Sequence, residues 1–98
     1  MTFKARPSSY SIDLAPTRRA RCRKCRKGIA FGEVRVVTHA FVRPGRGTRL
    51  VRHAACLDAS FAAAVLKVYG RAEAVPVDLR VDASECARVR AALEALRG

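Results

Sequence analysis

Tryptophan is absent from this 98-residue chain, methionine occurs once, and aromatic residues make up only 6% of it. Two Tyr and four Phe are few rings for a platform that stacks successive single-stranded bases. Acidic residues are scarce as well, 8 Asp and Glu against 20 Lys and Arg, which leaves a net charge of +12. No apolar run approaches the roughly 18–20 residues of a membrane span, and the longest, Phe61 to Leu66, is mostly alanine. Met1 to Tyr10 has no apolar stretch of the kind a secretory signal needs. The expectation is a chain that is not secreted, in a reducing compartment where disulfides do not form. Also missing are a Ser/His/Asp arrangement, a paired-carboxylate site and a phosphate-cradling glycine motif, so a binding module is expected rather than an enzyme. Bulky apolar side chains are themselves few. Half the chain counts as hydrophobic, but 18 of those residues are alanine and 4 are cysteine, which leaves 27 larger ones. That is a thin core for one domain of this size, where burial alone is marginal, and a staple is expected.

What is abundant is positive charge, and it is unevenly placed. Residues 1–53 hold 14 basic and 2 acidic side chains, whereas residues 54–98 hold 6 of each. The whole excess therefore lies in the first half, which suggests one half for a polyanion and the other for packing. Arginine outnumbers lysine 16 to 4, and its planar fork suits bidentate phosphate contacts. The apolar content is too high and too patterned for a disordered basic tail.

Residues 1–9 are expected to be a flexible leader and 10–98 a single domain. Tyr10-Ser11-Ile12-Asp13-Leu14 alternates apolar and polar and reads as a short strand that Pro16 ends. Glu33 to Phe41 reads as a second strand. Arg43-Pro44-Gly45-Arg46-Gly47-Thr48 reads as a basic loop, with Arg49 to Arg52 returning as the partner strand of a hairpin. From about Ala54 the period becomes helical, with Leu57, Phe61, Val65 and Val68 on one face and Gly70 as a stop. A second helix follows Asp82-Ala83-Ser84-Glu85, which is close to a capping box, and carries Cys86, Val89, Leu93 and Leu96 on one side. The expected fold class is α+β: a small stapled domain with a short antiparallel sheet or hairpin followed by two helices.

The staple is visible in the spacing. Cys22-Arg23-Lys24-Cys25 is a C-x2-C knuckle, and His53-Ala54-Ala55-Cys56 is H-x2-C. Together they supply Cys22, Cys25, His53 and Cys56, a tetrahedral set for one structural Zn²⁺ with no open coordination position. Neighbouring Arg and Lys are expected to lower the thiol pKa values. The C-x2-C pair taken alone also fits a redox dithiol, but that motif belongs in a βαβ setting. Cys86 and His39 are the spare ligand types. Cys86 lies on an apolar stripe and reads as a core thiol, and His39 lies inside a strand without a ligand-spaced partner.

Tyr10 to Ala15, then Arg19-Ala20-Arg21-Cys22-Arg23-Lys24-Cys25, Ile29, Gly32, Val34-Arg35-Val36, His53 and Cys56 together resemble the poly(ADP-ribose) polymerase-type zinc finger. The resemblance covers about Tyr10 to Leu96. It implies a finger that senses DNA strand breaks, because members of that family grip the backbone with arginines and lay apolar side chains on an exposed base-pair face; with no polymerase catalytic domain in the sequence, a stand-alone finger is expected. On that resemblance Arg19 and Arg35 match phosphate contacts, with Arg18 and Arg21 beside them. The stacking loop corresponds to Phe41 to Thr48, so Phe41, Val42, Arg43 and Arg46 are the expected contacts there. The loop has Pro, Gly and Arg where the family often has a second apolar residue. The implied partner is nicked or broken duplex DNA bound by a monomer, with a role in DNA damage and repair in the nucleus, or wherever DNA is in a prokaryote. Two other readings fit the charge: an RNA-binding or ribosome-associated zinc protein, and an adaptor whose basic half meets an acidic partner.

Overall fold

β-Branched and aromatic residues set at alternate positions make a sheet with two apolar faces, and each face is covered by a different part of the chain. The computed structural model describes residues 8–43 and 46–97, with the backbone alone for 41–43 and 46. Strands β1 (Ser9–Leu14), β2 (Val34–Arg43) and β3 (Arg46–His53) form one antiparallel sheet in the order β1-β2-β3. Helices α1 (Ala59–Tyr69) and α2 (Ala83–Leu96) follow. The α+β class is as expected, with three strands and two helices.

On one face Tyr10, Ile12, Val34 and Val36 pack against Phe61, Ala62, Val65 and Leu66 of α1 and Cys86, Val89 and Leu93 of α2. This is the main core, and Cys86 lies in it as a small buried group. On the other face Val37 and Val51 pack with Ala15, Cys22 and Ile29 from the segment between β1 and β2. The period of two therefore sends one set of side chains to the helices and the other to the cysteine knuckle. The open edge of β1 is closed by residues 76–78: the Ile12 N–H donates to the Pro76 carbonyl at 2.9 Å, and the Asp78 N–H donates to the Ile12 carbonyl at 2.9 Å. The Tyr69 hydroxyl donates to the Tyr10 carbonyl at 2.8 Å and accepts the Tyr10 N–H at 2.9 Å, which ties the end of α1 to β1.

Several local expectations change. The basic loop expected over Arg43–Thr48 is mostly strand. Thr48 pairs with Ala40 and Gly47 with Phe41, and a register irregularity falls between Phe41 and Arg43. Gly and Arg there read as turn formers, but cross-strand pairing overrides that preference. His53 ends β3, and Ala54–Cys56 form a single 3-10 turn, so the H-x2-C ligands precede α1 rather than occupying its first turn. The α1 N-cap is Asp58, whose carboxylate accepts the Phe61 N–H at 2.8 Å. The buried stripe of α1 is Phe61, Ala62, Val65 and Leu66, and Val68 lies 44% exposed. At the start of α2, Asp82 holds the N-cap position, but its carboxylate accepts no helix N–H and instead accepts the Ser84 hydroxyl at 2.6 Å. Gly70 has φ +82° at the end of α1, a left-handed stop that glycine adopts without strain. Ser9 begins β1, while Met1 to Pro7 of the expected leader lie outside the described residues.

Candidate metal centre

Backbone hydrogen bonds shape the knuckle before any metal is considered. The Arg26 N–H donates to the Cys22 carbonyl at 2.9 Å, and the Cys22 N–H donates to the Lys27 carbonyl at 2.8 Å, folding residues 22–27 into a tight loop. Closing that loop puts Arg26 at φ +67°, the only non-glycine residue with positive φ among the described residues. The Arg23 N–H donates to the Val51 carbonyl at 2.8 Å, which seats the knuckle on β3. The end of β3 and the turn after it then deliver His53 and Cys56 to the same point.

The four side chains predicted from the spacing converge, with the ligand atoms of Cys22, Cys25, His53 and Cys56 all within 4.8 Å of one another. His53 Nδ1 is 3.3 Å from Cys25 Sγ and 3.7 Å from Cys56 Sγ. A tetrahedral site with ordinary Zn–N and Zn–S bonds has N···S edges of about 3.6 Å. His53 Nε2 donates to the Gly28 carbonyl at 3.0 Å, with Glu33 Oε1 3.8 Å away. That bond fixes the tautomer and leaves the Nδ1 lone pair for a metal, the usual outer-shell arrangement for a zinc histidine. The set fits one structural zinc ion. Cys86 and His39 stand apart from it: Cys86 lies in the helix-side core, and His39 meets the Ser11 hydroxyl at 3.3 Å.

The electrostatics of the cluster call for a cation. Burial pushes the Cys22 thiol up, but the backbone N–H groups of Cys25, His53 and Lys24 outweigh it and bring it down to about 6. Backbone donors, rather than the neighbouring arginine side chains, make that thiolate. Burial, followed by the Cys25 and Cys22 sulfurs, pushes the Cys56 thiol up to about 11. With Cys22 drawn down and Cys56 pushed up, these two thiols do not both ionise unaided, and a bound divalent ion removes the conflict.

The metal lobe is wired to the helices through Asp58. Besides capping α1, Asp58 Oδ2 accepts from Lys24 Nζ at 2.9 Å and from Arg52 Nη1 at 3.3 Å, and the Arg52 guanidinium lies 4.4 Å from the centre of the Phe61 ring. The Phe61 N–H, then Lys24, hold the Asp58 carboxyl down at about 2. The contribution of this cap is thus fully present above the unfolded carboxylate range and is lost progressively as pH falls from that range through about 2.

A shallow cleft of about 560 Å³ lies beside the knuckle on the same face of the sheet. Arg19, Arg21, Arg23, Arg26 and Arg49 line it, and none of them is ion-paired with a carboxylate among the described residues. Arg18 is exposed but does not line it. Arg23, Arg26 and Arg49 were not singled out from the sequence, although the density of arginine around Cys22 and Cys25 pointed there.

Arg35 differs from the expected phosphate contact. It is 4% exposed at the cleft floor, and its Nε and Nη2 donate to Asp13 Oδ1 and Oδ2 at 2.7 and 3.2 Å. Strand register creates this pair, since Asp13 stands opposite Arg35 and Arg35 opposite His53. The guanidinium is committed to an internal fork, so its first role is structural. Asp13→Ala strands a buried charge and is expected to destabilise the fold by about 3 kcal/mol, measurable as a shift in the urea midpoint with zinc bound. The side chains of Phe41, Val42, Arg43 and Arg46 lie outside the described residues.

No known protein family's profile matches the chain, and no curated protein matches it.

Proposed function

We propose that this zinc-binding module is a non-enzymatic DNA-binding finger that takes hold of strand breaks or ends. The observation that carries the reading is the cleft: five arginines without acidic partners among the described residues, gathered on the metal-bearing face of the sheet. Several arginines elsewhere are paired with a carboxylate, Arg80 with Asp78, Arg88 with Glu85 and Arg97 with Glu94. A row of unpaired guanidinium groups on a rigid scaffold is suited to phosphates, and it binds them by releasing counterions. Zinc then has an indirect role, holding the knuckle from which Arg21, Arg23 and Arg26 project. The resemblance to the poly(ADP-ribose) polymerase-type finger supports the more specific part, preference for a nick or end over intact duplex. On this reading the protein acts as a monomer wherever DNA is, which is the nucleus in a nucleated cell.

Arg26 offers the sharpest test. It sits at positive φ, where glycine is unstrained and a long side chain costs about 1 kcal/mol or more. An arginine kept there is explained by its place in the cleft. Arg26→Gly is expected to leave the fold as stable as the parent or slightly more so, while weakening DNA binding and reducing the slope of log affinity against log salt by about 1. A variant that binds DNA with unchanged affinity and slope would count against the cleft as the DNA site.

A further inference from the structure

Phe31 is 75% exposed. The other described rings are occupied: Tyr10 and Phe61 pack edge to face in the core, and the Tyr69 hydroxyl is bonded to the Tyr10 backbone. Phe31 sits in the turn Ala30–Glu33, where the Glu33 N–H donates to the Ala30 carbonyl at 3.1 Å and Gly32 takes φ +78°. Glycine with positive φ at the third position is what a type II turn requires, but the second position, occupied by Phe31, accepts almost any residue. Turn geometry therefore does not account for the ring, and the ring belongs to neither core cluster.

The turn is fixed from several sides. The Ala30 N–H donates to Glu33 Oε1 at 3.0 Å, and the same carboxylate oxygen lies 3.8 Å from His53 Nε2 of the metal centre. The Gly32 N–H donates to the Ala15 carbonyl at 2.8 Å, and the Ile29 N–H donates to the Ala20 carbonyl at 3.0 Å. Between Ala15 and Ala20 the chain passes through Pro16, Thr17 and Arg19, which with Ala20 line the arginine cleft. The cleft's rim is thus hydrogen-bonded at both of its ends to the segment that carries Phe31.

We infer that Phe31 is a nucleobase-stacking residue, laying its ring on the base exposed at a DNA break while the adjoining cleft holds the flanking phosphates. The inference rests on the DNA reading above and adds a second point of contact to it. Charge selects the partner: a neutral apolar ring on a turn hydrogen-bonded to the rim segment of an arginine-lined cleft matches a ligand that is polyanionic with a flat apolar face, which a nucleotide is. A ring carried on a turn whose backbone is already fixed adds little backbone ordering cost on binding.

The chain has no tryptophan, so Phe31→Trp introduces a single indole whose fluorescence reports stacking directly. Two DNA probes suffice: a relaxed, covalently closed minicircle and the same circle with one nick. The nicked circle is expected to quench the indole and the closed circle to leave it largely unchanged. Phe31→Ala is expected to keep its zinc and its melting temperature and to bind the nicked circle about tenfold more weakly, with affinity for the closed circle unaltered. If the parent binds the nicked circle but the indole stays bright and Phe31→Ala binds as tightly as the parent, the stacking role is wrong while the DNA reading stands. If the parent binds neither circle, the DNA reading fails and the stacking role falls with it.

Discussion

Stripping the zinc, or replacing one ligand with Cys25→Ala, is expected to unfold residues 15–33 while the helix-side core survives. The reason lies in how that segment is held. Its apolar cluster on the sheet is Ala15, Cys22, Ile29, Val37 and Val51, and the two valines belong to β2 and β3. Ile29 is the only large side chain the segment itself contributes, and its burial is worth about 2–3 kcal/mol. Ordering costs about 1–2 kcal/mol per residue, so this one side chain cannot fix the whole segment. A structural zinc supplies roughly 10–16 kcal/mol in small fingers. The helix-side cluster draws on both helices and all of the β1 core positions, so it does not depend on the metal in the same way. Amide hydrogen exchange separates the two lobes. Protection at the Cys22, Arg26, Ile29 and Gly32 amides should vanish on chelation, while Ala62 and Cys86, whose amides bond to the Asp58 and Asp82 carbonyls, should remain protected. Retained protection across residues 22–32 in a zinc-free protein would show that the metal is not what holds the lobe.

If the chain binds DNA as proposed, that binding is expected to collapse with salt. Each of the five cleft arginines can neutralise one phosphate, giving a slope of about −4.5 in log affinity against log salt on B-form duplex. Raising salt from about 50 to about 200 mM then weakens binding by roughly 500-fold. The helix-bearing half carries balanced charge and adds little to this. A slope near −4.5 supports the cleft as the contact surface, whereas an affinity flat over that range would favour an adaptor that meets its partner through other contacts. The two results are coupled: once zinc is removed, Arg21, Arg23 and Arg26 are no longer fixed beside Arg49, so the chelated protein should bind DNA more weakly and with less discrimination.

The parts that were legible in the sequence share a physical cause. The ligands Cys22, Cys25, His53 and Cys56 are the right residue types at spacings short enough for local geometry to pair them, so only the meeting of the two pairs depended on the fold. The periodicity that places Phe61 and Val65, or Cys86, Val89 and Leu93, in the core is likewise local. What depended on register was hidden. The Asp13–Arg35 fork exists because β1 and β2 align those residues, and nothing in either segment alone reveals it. The reach of β3 to Arg46 was masked by glycine and arginine, which favour turns in isolation. Ala54 and Ala55 are good helix formers, yet the chain stops after one 3-10 turn because Asp58 caps a new helix. Phe31 carried no pattern at all, since a single exposed ring becomes visible only once the other rings have been placed.

On the proposed function, a zinc-stapled arginine cleft takes hold of broken duplex. The most direct measurement is the affinity of the zinc-bound parent for a nicked and for a covalently closed circle of the same sequence at one fixed salt concentration. Contact with one exposed base predicts about tenfold or tighter binding to the nicked circle, and equal affinity for the two circles would contradict it.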